Sequence, residues 1–217
     1  MIINIKKNYY FKILIIIFIS FIIDNFLILT INSPPAWDQG YHLSNTFKMY
    51  NILANNNIDL INKLNNLLNV TDSYRGPLTY FLSGLFLKVT NNSYHFAYLS
   101  NQVFNSICII SLFHLGKLYK NESIGIWASI LFSFSSLILK HRSDYLIDLS
   151  LTSFSTLCLL FLTKWYFDKS KFSKFSVLSG ITLGLVFITK PTGIVLFTLP
   201  ILVILIRIFK SKYNLVS

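Results

Sequence analysis

The sequence predicts an all-α, polytopic membrane protein with about six transmembrane helices. Three observations support this: 53% of the 217 residues are hydrophobic, only 12% are charged, and Lys and Arg fall between long apolar segments. A soluble domain of this size would carry about twice that charged fraction. The chain is therefore expected to form a single membrane module over residues 1–217.

Six segments are apolar enough to enter a bilayer, whose hydrocarbon core takes about 17–25 helical residues to cross. They are 13–31, 96–115, 124–139, 145–163, 175–189 and 194–209. The first is longer than the apolar part of a signal peptide, and no small-residue cleavage site follows it, so we expect it to be retained. Lys190-Pro191 separates the last two, because proline interrupts a helix.

The net charge of +11 is explained by membrane topology rather than by a nucleic-acid partner, since the cations do not line one face. If the N-terminus is cytoplasmic, most of the 19 Lys and Arg residues fall on the inner side of the membrane. Their density there is roughly three times that on the outer side, as the positive-inside rule requires. This predicts a multi-pass membrane protein with a cytoplasmic N-terminus.

The largest segment outside the predicted spans is an outer loop, residues 32–95. It opens with the stretch 33–40, whose two prolines and glycine are expected to resist helix formation. A weakly amphipathic stretch, 43–68, follows, and the apolar run 78–89 is too short to cross the bilayer. We expect helices here that lie at the membrane interface or pack onto the bundle.

Ionisable side chains within or beside a membrane are costly and tend to mark functional sites. In the predicted topology, a set of them converges on the outer side from distant parts of the chain: Asp38, Arg75, His141, Arg142, Asp144, Asp148 and Lys190. Asp38 could equally be a solvated loop acid, and the turn 141–144 could anchor helix ends among lipid headgroups. Asp148 lies inside a span, so it needs either a salt bridge to Arg142 or Lys190 or a direct role in a site.

A metal site is only weakly indicated. Asp38 and His42 are four residues apart, so they could share a helical face and ligate a divalent cation. Two ligands without a third do not define a site. No metal ligand is therefore assigned, although a divalent cation stays open as a cofactor.

The remaining acids are expected to be structural or silent. Asp24 lies in the first span, close to its outer end, and is interpreted as a packed, hydrogen-bonded residue. Asp59 and Asp72 lie in the outer loop but outside any motif, so their replacement should have little effect.

A series of motifs runs along the chain in a recognisable order. Asp38 follows the first span in the segment 35–41, and a Tyr-Arg-x-Pro-Leu-x-Tyr segment, residues 74–80, comes next. Arg142 and Asp148 then stand at the head of the fourth span, and the segment 180–193 ends in Thr189-Lys190-Pro191-Thr192-Gly193. The series resembles the N-terminal part of GT-C-fold glycosyltransferases. In particular it resembles the bacterial relatives of protein O-mannosyltransferase, such as the aminoarabinose transferase of lipid A and the galacturonic acid transferases of lipopolysaccharide.

This resemblance implies transfer of a sugar from a polyprenyl-phosphate donor to a glycolipid, glycan or protein, on the outer face of the cytoplasmic (inner) membrane. In that family the acid after the first span acts at the acceptor, which makes Asp38 the catalytic candidate. A carboxylate there can take the acceptor's proton, and cations stabilise the departing lipid phosphate. The candidates for the phosphate are Arg142, Lys190 and Arg75, with Asp148, Tyr74 and Tyr41 in support. The role of Asp38 requires a cavity shared with Arg142 and Lys190.

Two departures from the family pattern matter. The family usually has a second acid beside the first, where this chain has Gln39. Family members also run to more than twice this length, so we expect the C-terminal part to be missing or to be a separately encoded partner.

Two other functions fit parts of the sequence. A non-catalytic membrane partner derived from such an enzyme would account for the short length. A transporter of lipid-linked intermediates would also place cations near lipid phosphate. That transporter, however, would carry charges through the whole depth of the membrane, whereas here they gather on one side.

The predicted topology can be tested by labelling single cysteines. In a background without Cys108 and Cys158, Ser73→Cys should react with an impermeant thiol reagent in intact cells, because the loop 32–95 faces outward. Lys120→Cys is the matched inner control and should react only after the membrane is opened. Labelling of Ser73→Cys only in opened membranes would refute the orientation.

Overall fold

The computed structural model describes residues 9–30, 37–55, 57, 59–72, 74–90, 94–168, 170 and 173–213, and among these it contains helices and no strand. The helices are α1 (Tyr9–Thr30), α2 (Asp38–Ala54), α3 (Leu60–Leu68), α4 (Leu78–Val89), α5 (Leu99–Tyr119), α6 (Glu122–Ser133), α7 (Ser136–Ser143), α8 (Asp148–Phe167), α9 (Lys174–Thr189) and α10 (Thr198–Tyr213). Short 3-10 segments, Tyr94–Tyr98 and Pro191–Phe197, lead into α5 and α10. The prediction of an all-α protein is confirmed.

Three helical stretches of the described chain are long and apolar enough to cross a membrane: Tyr9–Thr30, Tyr94–Tyr119 and Pro191–Phe209. The pair α6 and α7 would add a fourth if it forms one span. A helix occupies most of each of the six predicted segments, but six crossings remain a prediction. The reason is that α9 has only 16 residues and α8 carries many Ser and Thr side chains, which lower its hydropathy.

The predicted segment 124–139 does not form one straight helix. The structure divides it between α6 and α7, whose axes are bent by 55° at Phe134 and Ser135. Likewise α8 begins at Asp148 rather than at 145, because Tyr145 adopts a φ of 51° that interrupts the helix. Apolar composition continues across the first break, so hydropathy could not reveal it.

Helix α5 lies at the centre of the bundle, packed against α1, α6 and α8, while α9 packs on α8. Small residues let α5 and α6 approach closely, as is common between membrane helices. A Cβ at Gly116 would lie 2.5 Å from the Cα of Gly125. Nearby, the Ser129 hydroxyl donates to the Ile109 carbonyl at 2.9 Å.

A buried ion pair ties α7 to α1. The Arg142 Nε lies 3.0 Å from Asp24 Oδ1, with side chains only 1% and 2% exposed, and Arg142 Nη1 also donates to the Ser20 hydroxyl. Asn105 donates to Ser20 at 2.7 Å, and Asn101 donates to the Arg142 carbonyl at 3.0 Å, so α5 joins the same network. Removing one partner of such a pair typically costs about 3–5 kcal/mol, because a charge is left buried and unpaired. This agrees with the interpretation of Asp24 as a packed residue.

The described residues of the predicted outer loop include the helices α2, α3 and α4, of which α2 and α4 pack tightly against each other. Met49 of α2 and Tyr80 of α4 are fully buried where these helices meet, and a Cβ at Gly84 would lie 3.2 Å from the Tyr50 nitrogen. Helix α4 also contacts α5 and α9, so the run 78–89 packs on the bundle. No residue of α3 is buried.

The expectation that the stretch 33–40 resists helix formation is wrong from Asp38 onward; residues 33–36 lie outside the described residues. Trp37 has φ 46° and ψ −118° and turns the chain, after which α2 begins at Asp38. The Asp38 carboxylate stands in the first turn, where the helix dipole favours negative charge. The helix therefore holds Asp38 and His42 one turn apart on α2.

An apolar cleft of about 880 Å³ lies between α5, α6, α8 and α10. Its lining includes Leu115, Tyr119, Tyr166 and Leu202. On α8 the cleft is bordered by the C-terminal half, whereas Asp148 stands at the N-terminal end. A 20-residue helix is about 30 Å long, so the cleft lies at the end of the bundle opposite Asp148.

Candidate functional site

An ion pair joins the start of α8 to the end of α9 at the candidate site. Asp148 occupies the first turn of α8 and Lys190 directly follows α9. Lys190 Nζ donates to Asp148 Oδ1 at 2.9 Å, with the side chains 29% and 45% exposed. One of the two partners that the sequence suggested for Asp148 is thus confirmed.

A backbone contact brings the outer loop to the same place. The Gly76 N–H donates to the Thr189 carbonyl at 3.0 Å, immediately before Lys190. A Cβ at Gly76 would lie 1.7 Å from the Ile188 carbonyl oxygen, so no residue other than glycine fits without moving α9 or the loop. Arg75 directly precedes Gly76 and Lys190 directly follows Thr189, so this hydrogen bond brings together two segments that carry a cation.

Arg75 is held in a clamp of two carboxylates and one ring, which we call the arginine clamp: Asp38, Tyr41, Asp72 and Arg75. Its Nη2 donates to Asp38 Oδ1 at 3.2 Å and its Nη1 donates to Asp72 Oδ2 at 2.9 Å. The guanidinium carbon lies 4.5 Å from the centre of the Tyr41 ring, within the range of a cation–π contact. The structure thus brings the predicted residues Asp38, Arg75 and Tyr41 together.

Replacement of Asp72 was expected to be nearly silent, and the structure places its carboxylate in the arginine clamp. Besides Arg75, its carboxylate accepts a hydrogen bond from the Tyr41 hydroxyl at 2.9 Å and one from the Tyr74 N–H at 3.0 Å. Burial raises the pKa of the Asp72 carboxyl, but these three hydrogen bonds and the Arg75 charge outweigh it, so the pKa is lowered. Asp72 lies three residues before Arg75, which was a usable signal of the pair.

His42 lies among the charged groups of the site. Its Nδ1 is 2.6 Å from the Tyr80 hydroxyl, both side chains being buried. The pKa of His42 is lowered to about 4, mainly by burial and also by the charge of Arg75 and that of Lys190, whereas Asp38 and Asp148 act in the opposite direction. Both ion pairs, Arg75 with Asp38 and Lys190 with Asp148, are therefore close enough to His42 to influence its protonation.

Buried hydroxyl groups link the helices that carry these residues. The Tyr145 hydroxyl is 2.6 Å from the Thr46 hydroxyl, which links the turn before α8 to α2. Thr79 and Ser150 are also 2.6 Å apart and link α4 to α8. Tyr80, the last residue of the motif 74–80, and Tyr145 were not assigned to the site, because only the folded chain shows that their hydroxyls meet partners on other helices.

Two predicted site residues are placed differently from what their roles require. Arg142 is 1% exposed and its guanidinium is engaged with Asp24 and Ser20, in a pair separate from that of Lys190. The Asp38 side chain is 67% exposed, so the described residues do not enclose it in a cavity. Tyr74 is also exposed and contributes its backbone N–H rather than its ring. The donor role of Arg142 stays a prediction.

Among the described residues, no group of three or more His, Cys, Asp or Glu side chains is arranged to hold a metal ion. Asp38 and His42 lie one helical turn apart, but the Nδ1 of His42 is occupied by Tyr80. The structure therefore adds no third ligand to the pair suggested by the sequence.

The fold and the site together define the protein as a multi-helix membrane protein with a polar site at one end of the bundle. Residues 74–216 match the family model described as dolichyl-phosphate-mannose-protein mannosyltransferase. The match spans roughly two thirds of the chain, so the chain belongs to this family, which consists of membrane glycosyltransferases of the GT-C type. No curated protein and no solved structure matches it.

The matched range includes Arg75, Gly76, Asp148 and Lys190, but it begins after Asp38 and Asp72. The resemblance identified from the sequence motifs is thereby confirmed at the level of the family. Asp38 and Tyr41, the residues of the arginine clamp on α2, are therefore assigned to the site by their contacts and not by the family match.

The environment of His42 predicts a dependence of stability on pH. A histidine in the unfolded chain has a pKa of 6.5, whereas that of His42 in the folded chain is about 4, so the unfolded state binds the proton more readily. Stability from this residue is complete above about pH 6.5 and is lost as the pH falls towards 4. Thermal unfolding in detergent should therefore occur at a lower temperature at pH 5 than at pH 7.

His42→Gln should reduce that pH dependence, because the variant lacks the imidazole of His42, whose pKa is lowered in the folded chain. His141→Gln, outside the site, is the matched control and should retain the pH dependence of the unmutated chain. An identical loss of stability with acid in the unmutated chain and in His42→Gln would show that the assigned environment of His42 is wrong.

Proposed function

We propose that the chain transfers a sugar from a polyprenyl-phosphate donor to a glycolipid, glycan or protein of the cell envelope, on the outer face of the cytoplasmic membrane. The observation that carries this proposal is the hydrogen bond between Gly76 and Thr189, which brings the segment with Arg75, the partner of Asp38, to the segment with Lys190. Family membership supports the reaction class. The proposal includes a cytoplasmic N-terminus, so that this end of the bundle faces outward.

In the proposed reaction an acceptor hydroxyl attacks the anomeric carbon of the sugar. The bond between that carbon and the phosphate oxygen breaks, and the polyprenyl phosphate leaves with the electron pair. Asp38 takes the proton of the attacking hydroxyl, as a positioned general base. Its 67% exposed side chain is open to an acceptor that approaches from outside the bundle.

Arg75 and Lys190 are the groups that we propose for the departing phosphate, whose negative charge grows as the bond breaks. Fixed cations at that position stabilise the transition state more than the ground state. Both side chains are partly exposed, at 28% and 29%, so a ligand can reach them. Arg142 is a weaker candidate, since a phosphate would have to separate it from Asp24.

Asp148 supports Lys190 in this proposal. The 2.9 Å contact fixes the ammonium at the start of α8, and the N-terminal end of that helix favours the Asp148 carboxylate there. Lys190 is thus oriented without being buried.

A non-catalytic membrane partner is the alternative that a specific observation favours. Asp38 is not enclosed by the described residues, so a second chain would have to complete an acceptor site around it. In that case this chain supplies the phosphate-binding end, and sugar transfer requires a separately encoded partner.

Replacement of Asp38 tests the catalytic assignment. Asp38→Asn keeps the size of the side chain but removes its basicity, so transfer should fall by about 10²–10⁴-fold. The assay is sugar transfer from a polyprenyl-phosphate donor in membranes that contain the chain, alone and with any adjacent reading frame that supplies a partner.

Asp59→Asn is the matched control. Asp59 caps α3 by accepting from the Asn62 N–H at 3.0 Å, and asparagine caps a helix about as well, so this variant should transfer at the normal rate. Full activity of Asp38→Asn would refute its role as the base. Absence of transfer by the unmutated chain in both settings would favour the non-catalytic alternative.

A further inference from the structure

The arginine clamp has more negative than positive charge. Arg75 is shared by two carboxylates, those of Asp38 and Asp72, and no other cation makes an ion pair with either among the described residues. With both acids ionised, the three groups carry a net charge of −1. A phosphate that approaches Arg75 would therefore meet net repulsion unless one carboxylate moves away.

The two carboxylates are held very differently. Asp72 makes three contacts: Arg75 Nη1 at 2.9 Å, the Tyr41 hydroxyl at 2.9 Å and the Tyr74 N–H at 3.0 Å. Asp38 makes one, with Arg75 Nη2 at 3.2 Å, and its side chain is 67% exposed against 36% for Asp72. An exposed single ion pair contributes only about 0–1 kcal/mol, so the contact of Asp38 is the one that yields.

Tyr41 connects the two halves of this arrangement. Its ring lies against the Arg75 guanidinium, while its hydroxyl is bound to the carboxylate that holds Nη1. Releasing Asp38 leaves both contacts in place. The guanidinium then stays oriented, with Nη2 free to bind another anion.

We propose that Asp72 is a positioning residue that holds Arg75 in place, and that the phosphate of the lipid-linked donor displaces Asp38 from Arg75. This inference rests on the proposed function and specifies which contact of Arg75 the donor phosphate replaces. Donor binding exchanges one anion for another at Nη2 and frees the Asp38 carboxylate. Asp38 is thus free of its ion pair only once the donor is bound, so donor binding precedes activation of the acceptor.

The proposal predicts opposite effects from the same change of charge. Asp38→Asn removes the competing anion, so a fluorescent polyprenyl phosphate should bind about two- to fivefold more tightly to the purified chain, the scale of one exposed ion pair. Asp72→Asn removes the anchor of Arg75, so the same probe should bind about three- to tenfold more weakly, the scale of a lost charge-assisted hydrogen bond. If both carboxylates acted only by repelling the phosphate, the probe would bind more tightly to both variants.

Tyr41→Phe is a milder second variant, which keeps the ring and removes only the hydroxyl that binds Asp72. It should weaken binding of the probe in the same direction as Asp72→Asn. Binding of polyprenol, which has the same chain but no phosphate, is the control for folding and should be unchanged in all three variants. Asp59→Asn should leave both affinities unchanged.

The outcomes separate this inference from the proposed function. Equal binding of polyprenyl phosphate and polyprenol by the unmutated chain, or no loss of phosphate binding in Arg75→Met, would overturn the phosphate site and the inference with it. Arg75-dependent phosphate binding with tighter binding in both Asp38→Asn and Asp72→Asn would leave the site standing and overturn the positioning role of Asp72.

Discussion

The hydrogen bond between the Gly76 N–H and the Thr189 carbonyl is the contact on which the site depends. It joins the outer loop to the end of α9 at 3.0 Å, and the missing side chain of Gly76 makes that approach sterically feasible. On one side of the junction stands Arg75, and on the other stands Lys190. This backbone hydrogen bond thus brings together two segments that carry a cation and lie more than a hundred residues apart in the sequence.

Each cation at this junction has at least one carboxylate partner. Lys190 is paired with Asp148, and Arg75 is paired with Asp38 and Asp72. A site of this kind is stable when empty, since every cation has an anion, yet the exposed pairs cost little to separate. Asp24 and Arg142 differ, because their pair is buried and fixes the positions of α1 and α7. The structure therefore distinguishes an ion pair that supports the bundle from ion pairs that a ligand can open.

Much of the fold could be predicted from the sequence, because apolar segments and interspersed cations report membrane helices directly. The bend between α6 and α7 could not, since Phe134 and Ser135 break the helix without changing its apolar character. The packing of α4 onto the bundle was one of two expectations, and the structure shows α4 in contact with α5 and α9. The number of crossings depends on the bilayer as well as on the helices.

For the site, the motif order brought Asp38, Arg75, Asp148 and Lys190 into consideration, and the structure gathers all four around His42. The sequence did not indicate how these residues are paired. Pairings form between segments that are distant in the chain, so the partner of Arg142 proved to be Asp24 rather than a group of the site. Asp72 was overlooked although it lies only three residues before Arg75, whereas its link to Tyr41 spans 31 residues and could not be recognised from the sequence.

The central claim is that the lipid phosphate binds at the Gly76–Thr189 junction, and its position can be mapped directly. A polyprenyl phosphate with a photoreactive group beside the phosphate would be crosslinked to the purified chain, and the labelled peptides would be identified by mass spectrometry. The account predicts labels within 74–80 and 188–193. Labels confined to the apolar cleft at the other end of α8, around Tyr119 and Tyr166, would contradict it.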